Sequence, residues 1–250
     1  MIPVFRKIRK KMADDNRPLK YMRYAIGEIV LVVIGILIAL QINNWKEEQK
    51  AKRVEFVILT ELKKNINADI LEMDSTVISV NHRIRSSKII LKSFANNDSY
   101  HDSLNSHFGW AMVYDNMFFH TGAYESLKSS GSQLINDEAL RFEISNYYDY
   151  SINSMKSSLR EIRDDFYNYM LGFLRKEFTS FVNAGPTAHP RDFEALKANE
   201  TFRLSLGVFL DVQIQSEKNL QRTLKASRNL LERIDERLEK IDGKGESVVP

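Results

Sequence analysis

The chain has 250 residues, no cysteine, 28% charged residues and a formal net charge of +3. A chain of this length can bury a sizeable hydrophobic core, while the small net charge excludes the overall basic field of nucleic-acid-binding domains. The absence of cysteine excludes disulfides, thiolate metal sites and a cysteine nucleophile.

The basic residues are concentrated at the N-terminus. Eight Lys and Arg side chains precede Tyr24, against two acidic ones. Phe5, Ile8 and Met12 share one helical face, with basic residues on the others. This pattern indicates either a short helix on an anionic membrane surface or a disordered basic tail. Residues 1–23 are assigned to a basic juxtamembrane segment.

Residues 24–45 are predicted to form a transmembrane helix. The stretch from Ile29 to Leu40 reads IVLVVIGILIAL, and its apolar extension from Ala25 to Ile42 is long enough to span a bilayer. No small-residue cleavage site follows, so the segment is predicted to be an uncleaved anchor. Lys and Arg are twice as numerous before the span as just after it. The positive-inside rule therefore predicts a cytoplasmic N-terminus and residues 46–250 on the far side of the membrane.

One face of this predicted helix carries a candidate contact site, formed by Glu28, Val32, Gly35 and Ala39. Gly35 and Ala39 are a pair of small residues four apart, which lets two helices approach closely. An acid on the same face can hydrogen-bond to a second helix. The stripe therefore predicts a homo-oligomer or a partner membrane protein. The alternative is that Glu28 only reaches the cytoplasmic interface.

The remaining sequence favours an all-α fold, an elongated helical bundle with coiled-coil-like seams. No proline occurs between Pro18 and Pro186, which permits long helices. One apolar stripe within residues 46–95 includes Leu59, Leu62, Ile66, Ile70, Met73, Val77, Val80, Ile84, Leu91 and Phe94. A second within residues 200–242 includes Leu220, Leu224, Leu231, Ile234, Leu238 and Ile241. The two helices are predicted to pair antiparallel, with self-association as the alternative.

The aromatic residues single out the middle of the chain. Of 26 aromatic residues, 21 lie between residues 94 and 209. We predict a packed head at about 94–209, carried on stalk helices at about 46–95 and 200–242. The last residues, 243–250, are predicted to be a disordered tail.

Capping signals divide the head into helices. Gly131 is predicted to end a helix that begins near Thr121. Asn136 is predicted to cap the next helix, with Asp137 and Glu138 in its first turn.

A third apolar stripe follows these helices. Its members are Ile152, Met155, Leu159, Ile162, Phe166, Tyr169 and Phe173. Residues 183–190 are predicted to form a loop. No sustained β-alternation is present, and residues 110–119 are the one stretch whose pattern is compatible with a strand.

Two blocks resemble a known protein family. Residues 24–50, YAIGEIVLVVIGILIALQINNWKEEQK, closely resemble the N-terminal signature of a family of uncharacterised single-pass membrane proteins, common in one group of Gram-negative bacteria. Residues 123–150 resemble its second block. The resemblance implies an inner-membrane protein with a periplasmic helical domain, and it supplies no activity, ligand or catalytic residue. The resemblance also implies a modification common to bacteria of that group, O-glycosylation of Asp-Ser/Thr pairs followed by an apolar residue or Thr. Ser75 and Ser103 are therefore candidate sites.

The motifs of common enzyme classes are missing. The sequence has no glycine-rich phosphate-binding loop, no HExxH and no GxSxG. His101, His107 and His120 do not share a helical face, which argues against a metal site. We therefore expect no enzyme, no catalytic, cofactor-binding or metal-binding residue and no nucleic-acid partner. The expected function is a scaffold or interaction protein anchored in the lipid bilayer. The alternative is a sensory or ligand-binding domain that acts through a partner membrane protein.

Overall fold

The structure is a computed structural model that describes residues 18–183 and 185–243. Most of the predicted basic segment (residues 1–17) and nearly all of the predicted tail (residues 244–250) lie outside the described residues. The chain divides into two compact units, residues 1–54 and 55–250.

Helix α1 runs from Pro18 to Ala95. It contains both the predicted transmembrane segment and the first long stripe. After its last residue, Asn97 takes a φ of 55°, a left-handed conformation that asparagine adopts more readily than most residues. The Asp98 N–H then donates to the carbonyl of Ser93 at 3.0 Å, which closes the helix end.

The second unit adds shorter elements and one more long helix. After α1 come α2 (Leu104–Ala111), the connecting segment 113–121, α3 (Gly122–Ser130) and a 3-10 turn (Ser132–Leu134). A helical column follows, built from α4 (Glu138–Asn146), a π-helical turn (Tyr147–Ile152), α5 (Asn153–Asp165), a second π-helical turn (Phe166–Met170) and α6 (Leu171–Glu177). The chain ends with β1 (Phe178–Val182), β2 (Thr187–Pro190), α7 (Phe193–Ala198) and α8 (Glu200–Asp242).

Helices α1 and α8 lie antiparallel in the second unit, as their apolar stripes predict. Three contacts mark the pairing from one end to the other: Glu55–Arg237 at 2.9 Å, Asp74–Arg228 at 2.8 Å and Phe94–Phe202 with ring centroids 6.2 Å apart. Each helix thereby covers the apolar face of the other, which neither can bury alone.

The helical column runs parallel to α1 and closes the core. At its start Leu140 shares a buried cluster with Leu59 and Leu230, and near its end Met170 shares another with Phe94. The aromatic-rich segment, predicted to be a head, therefore packs along both predicted stalk helices within the second unit.

The π-helical turns change which side of the column is buried. The sequence stripe places Tyr169 in the core, but Tyr169 is 58% exposed, while Met170 and Leu174 are buried. The prediction for Tyr169 is wrong because a π turn holds an extra residue, which advances the buried face by one position.

The cap of α4 also differs from the prediction. Asp137, not Asn136, is the cap, because its side chain accepts a hydrogen bond from the Leu140 N–H at 3.0 Å. Asn136 instead donates its backbone and side-chain N–H groups to the carboxylate of Glu55, at 3.2 and 3.0 Å. Gly131 ends α3 with a φ of 105°, as predicted.

Two short strands occur where the sequence shows no β-alternation. Within the described residues, β1 and β2 pair antiparallel from Phe178–Pro190 to Val182–Thr187. Residues 110–119, the one stretch compatible with a strand, contain instead the end of α2 and most of the connecting segment. The predicted loop at 183–190 is shorter, because residues 187–190 form β2. Only Phe178 of β1 is buried, so the hairpin lacks the alternation that reveals strands in a sequence.

The buried face of α1 repeats at alternating intervals of four and three residues. Its members are Glu55, Leu59, Leu62, Ile66, Asp69, Met73, Thr76, Val80, Arg83, Ser87, Ile90 and Phe94, here called the α1 seam. The apolar stripe read from the sequence includes Val77, Ile84 and Leu91, which are only half-buried. The buried positions next to these three are Thr76, Arg83 and Ile90.

Glu55 and Arg237 form a buried ion pair at one end of the seam. The guanidinium donates two hydrogen bonds to the carboxylate, both at 2.9 Å. The Glu55 side chain has no exposed surface, whereas that of Arg237 is 24% exposed. The hydrogen bonds from Arg237 to Glu55 raise the pKa of Arg237 above its usual value. Glu55 of α1 thereby contacts both Arg237 of α8 and Asn136, the residue before the cap of α4.

Arg237→Leu should lower the free energy of unfolding by about 3 kcal/mol, because it leaves the charge of Glu55 uncompensated inside the protein. Denaturant unfolding of the full chain in detergent micelles, followed by circular dichroism, measures the loss. Arg233→Leu is the matched control, since Arg233 is 38% exposed and its surface ion pairs should contribute less than about 1 kcal/mol. Equal losses in both variants would contradict a buried ion pair.

Deleting Asn168, an exposed residue of the second π-helical turn, should be tolerated. The deletion converts the turn to regular α-helix and keeps the buried face of α6 in place, because the extra residue is the one removed. Deleting the exposed Arg160 within α5 should abolish cooperative unfolding, since it rotates everything after it by about 100°. The melting curves of the two deletions distinguish these outcomes, and similar damage in both would refute the register argument.

Candidate functional site

The first unit contains an apolar helical segment with no protein packed on its described residues. The most apolar window of 18 residues in α1 is long enough to cross a membrane, and none of it is buried. From Ile29 to Leu40 the large side chains are between 47% and 70% exposed. This segment is therefore an exposed apolar helix surface within the described part of the chain.

The predicted contact stripe lies on this segment. Val32, Gly35 and Ala39 are exposed, and Glu28 is half-buried. A Cβ atom placed on Gly35 would meet no atom within 4 Å, so the helix surface at this glycine is open to a close neighbour. The stripe therefore has the exposure and the small residues that helix–helix contact in a membrane requires.

A second candidate site lies inside the second unit, around Asp69. One carboxylate oxygen of Asp69 accepts hydrogen bonds from the backbone N–H of His120 at 3.0 Å and contacts its ring Nδ1 at 2.7 Å. The other oxygen is buried and has no hydrogen-bond partner among the described residues. Burial raises the pKa of Asp69 above its usual value, and the hydrogen bonds from His120 oppose this rise.

Two tyrosines of the first π-helical turn lie within reach of the charge on Asp69. Ser227 donates a hydrogen bond to the hydroxyl of Tyr147 at 3.0 Å. The hydroxyl of Tyr148 is buried without a partner in the described structure. Burial raises the pKa of both phenols, and the carboxylate of Asp69 raises them further. An unpaired acceptor and an unpaired donor thus occupy one buried region, which a water or a small polar molecule would satisfy.

The same cluster extends to the surface through α3. The ring of Tyr124 stacks on Tyr148 with centroids 4.5 Å apart, and its hydroxyl donates to Asp149 at 2.6 Å. Lys128 lies 3.4 Å from the same carboxylate. Burial and the hydrogen bond to Asp149 raise the pKa of Tyr124 to about 12. The Asp69 cluster, meaning Asp69, His120, Tyr124, Tyr147, Tyr148 and Asp149, is a polar site with neutral donors and one buried acid.

The three histidines singled out in the sequence lie apart from one another. His101 contacts Ser103, His107 contacts Ser86, and His120 contacts Asp69. Among the described residues there is no group of three or more His, Cys, Asp or Glu side chains placed to hold a metal ion.

The two candidate O-glycosylation residues are accessible. Ser75 and Ser103 are both exposed. Ser75 donates to the carbonyl of Glu72 at 3.2 Å, and the hydroxyl of Ser103 lies 2.9 Å from the ring of His101. Glycosylation of either residue remains a prediction.

Sequence reasoning missed the buried acid. Asp69 falls between Ile66 and Met73 at the spacing of the α1 seam, and this position was the available signal. A charged residue on an otherwise apolar helical face must find a partner, because burying an unpaired charge costs several kcal/mol. The partner, His120, is 51 residues away in the sequence, so no local pattern identifies it.

Comparison with known proteins gives a family without an assigned activity. Residues 28–168, more than half of the chain, match a protein family described as a family of unknown function, DUF6090. The match includes the contact stripe and the whole of the Asp69 cluster. No curated protein and no solved structure matches the chain.

Asp69→Asn should raise the free energy of unfolding near pH 7 by about 1 kcal/mol, because it removes a buried charge whose second oxygen has no hydrogen-bond partner among the described residues. The pKa of Asp69 is raised on folding, so the native state holds its proton to higher pH than the unfolded state. Asp69 therefore makes its full contribution to the free energy of unfolding below pH 3.8, its usual pKa. This contribution is lost as the pH rises through the raised pKa of the folded state.

Denaturant unfolding between acidic and neutral pH tests this account of Asp69. The advantage of the Asn variant should disappear where the native aspartate is protonated. Asp74→Asn is the control, because Asp74 is 45% exposed and its pair with Arg228 is at the surface. A variant at position 69 that loses stability at neutral pH would show that the charge is needed.

Proposed function

We propose that this chain, which belongs to the DUF6090 family of unknown function, is a membrane-anchored interaction protein. The observation that carries the proposal is the apolar segment of α1, of which no residue in the 18-residue window is buried. Ten of the twelve residues from Ile29 to Leu40 are Ile, Leu or Val. Together they favour insertion into a bilayer by about 3–6 kcal/mol.

The charge distribution supports one orientation. The basic residues before the segment favour a cytoplasmic N-terminus by the positive-inside rule. The helical domain, residues 55–242, would then lie in the periplasm of a Gram-negative cell and serve as the module that contacts other envelope proteins. Its architecture supports this role, because long paired helices offer extended outer surfaces.

The contact stripe supports lateral assembly within the membrane. Close packing of two helices at Gly35 and Ala39 brings their backbones together and gains van der Waals contact. Glu28 on the same face adds a polar group that a second helix can engage. The stripe would therefore hold two copies of the chain together, or bind the chain to a partner membrane protein.

A second function, binding of a small molecule, is favoured by the Asp69 cluster. Its unpaired carboxylate oxygen and the unpaired hydroxyl of Tyr148 are the groups that a polar ligand would engage. In that case the domain acts as a sensor whose output passes through a partner membrane protein. The sensor is supported if a small polar molecule raises the melting temperature of the chain but not that of Tyr148→Phe. The scaffold is supported if interaction partners are recovered and no small molecule shifts the melting temperature.

The Gly35→Leu, Ala39→Leu double variant should lose most lateral assembly, because the two leucines keep the helix backbones apart. In-cell crosslinking followed by purification from native membranes measures the oligomer or partner that is recovered. Leu37→Phe enlarges a side chain off the stripe and should leave recovery unchanged. Glu28→Gln removes the charge but keeps the size of the side chain. It therefore measures how much the charge of Glu28 contributes to assembly. Unchanged assembly in the double variant would contradict the stripe as an interface.

A further inference from the structure

A shallow groove of about 400 Å³ lies on the second unit, beside the last turns of α1. Its lining residues are Asn81, Ile84, Arg85, Lys88, Ile89 and Lys92. Its volume lies within the range of sites that bind ligands or peptide segments. None of these residues belongs to the contact stripe or to the Asp69 cluster.

All the lining residues belong to α1, where an isoleucine lies on either side of a row of cations. Ile84 and Ile89 are half-buried and pack partly against the core clusters. Arg85, Lys88 and Lys92 are exposed and follow one another at intervals of three and four residues. This spacing places them along one side of the helix, over about 10 Å of its length.

The three cations form no ion pair with the described residues. Within residues 18–183 and 185–243, no carboxylate forms an ion pair with Arg85, Lys88 or Lys92. Other cations of α1 do have one, since Lys63 pairs with Asp235 at 2.7 Å and the guanidinium of Arg83 contacts Asp115. The row therefore presents three exposed cations that lie outside the ion pairs of the described residues, next to apolar surface.

We propose that this basic groove binds an acidic amphipathic segment of a partner protein. This inference rests on the proposed role of the chain as an interaction protein. Carboxylates at helical or extended spacing would meet the three cations, while the partner's apolar side chains would cover Ile84 and Ile89. A lipid headgroup concentrates its charge at one point, whereas these cations are distributed along the helix. The distribution of charge therefore favours a peptide over a lipid.

The test uses the full chain in nanodiscs of uncharged phosphatidylcholine. A labelled helical peptide with Glu and Leu at intervals of three and four residues is the probe, and its Gln counterpart is the uncharged comparison. Fluorescence anisotropy should show saturable binding of the Glu peptide and weak binding of the Gln peptide. Affinity should fall as salt rises, because exposed charges are screened.

Charge reversal locates the binding. The variant R85E/K88E/K92E should weaken binding of the Glu peptide by about tenfold or more, since attraction becomes repulsion at three positions. Lys156, Arg160 and Arg222 are exposed cations on α5 and α8, and reversing these three is the matched control that should leave affinity unchanged. Circular dichroism melting of both variants checks that the fold is retained.

Several results would overturn the proposal. The first is that neither peptide binds, or that the Glu and Gln peptides bind equally well. The second is that both charge-reversed variants weaken binding equally. The third is that the chain binds only phosphatidylglycerol vesicles, which would assign the groove to lipid. The stripe variants at positions 35 and 39 should keep the peptide affinity of the unaltered chain. A failed peptide test together with intact lateral assembly therefore rejects the groove without rejecting the anchored interaction protein.

Discussion

The requirement to remove apolar helix surface from water governs both units of this protein. In the second unit α8 and the α4–α6 column cover the α1 seam. In the first unit the described chain leaves the apolar segment uncovered. Its ten Ile, Leu and Val side chains are between 47% and 70% exposed, and each of them is more stable in a bilayer than in water. A bilayer is the solvent that removes this surface from water, and the proposed anchor follows from it.

Polar residues within the α1 seam determine how the second unit is assembled. Glu55, Asp69 and Arg83 occupy seam positions where an apolar residue would be expected, and each contacts a residue far away in sequence. Two of these contacts hold the connecting segment 113–121 along α1. A purely apolar seam could pack against its neighbours in several registers. A buried charge favours one register, because a shifted one would leave that charge without its partner. The seam therefore specifies register as well as stability.

The sequence predicts the parts of the fold that depend on local periodicity. The all-α class, the antiparallel pairing of α1 and α8 and the helix end at Gly131 all follow from spacing and glycine placement. The partner of Asp69, the role of Asn136 and the exposure of Tyr169 depend on distant contacts or on π-helical turns, which leave no local signal. The contact stripe was identified because all its members lie on one helix. The Asp69 cluster was not, because its members come from α1, the connecting segment, α3 and the first π-helical turn.

The most direct test of the anchored arrangement is protease accessibility in spheroplasts of cells that express the chain with an N-terminal epitope tag. Protease added outside intact spheroplasts should digest residues 55–242 and leave a short tagged fragment that stays with the membrane. If the domain survives in intact spheroplasts and is digested only after lysis, the proposed orientation is wrong. If the tagged fragment leaves the membrane after digestion, the apolar segment of α1 is not an anchor.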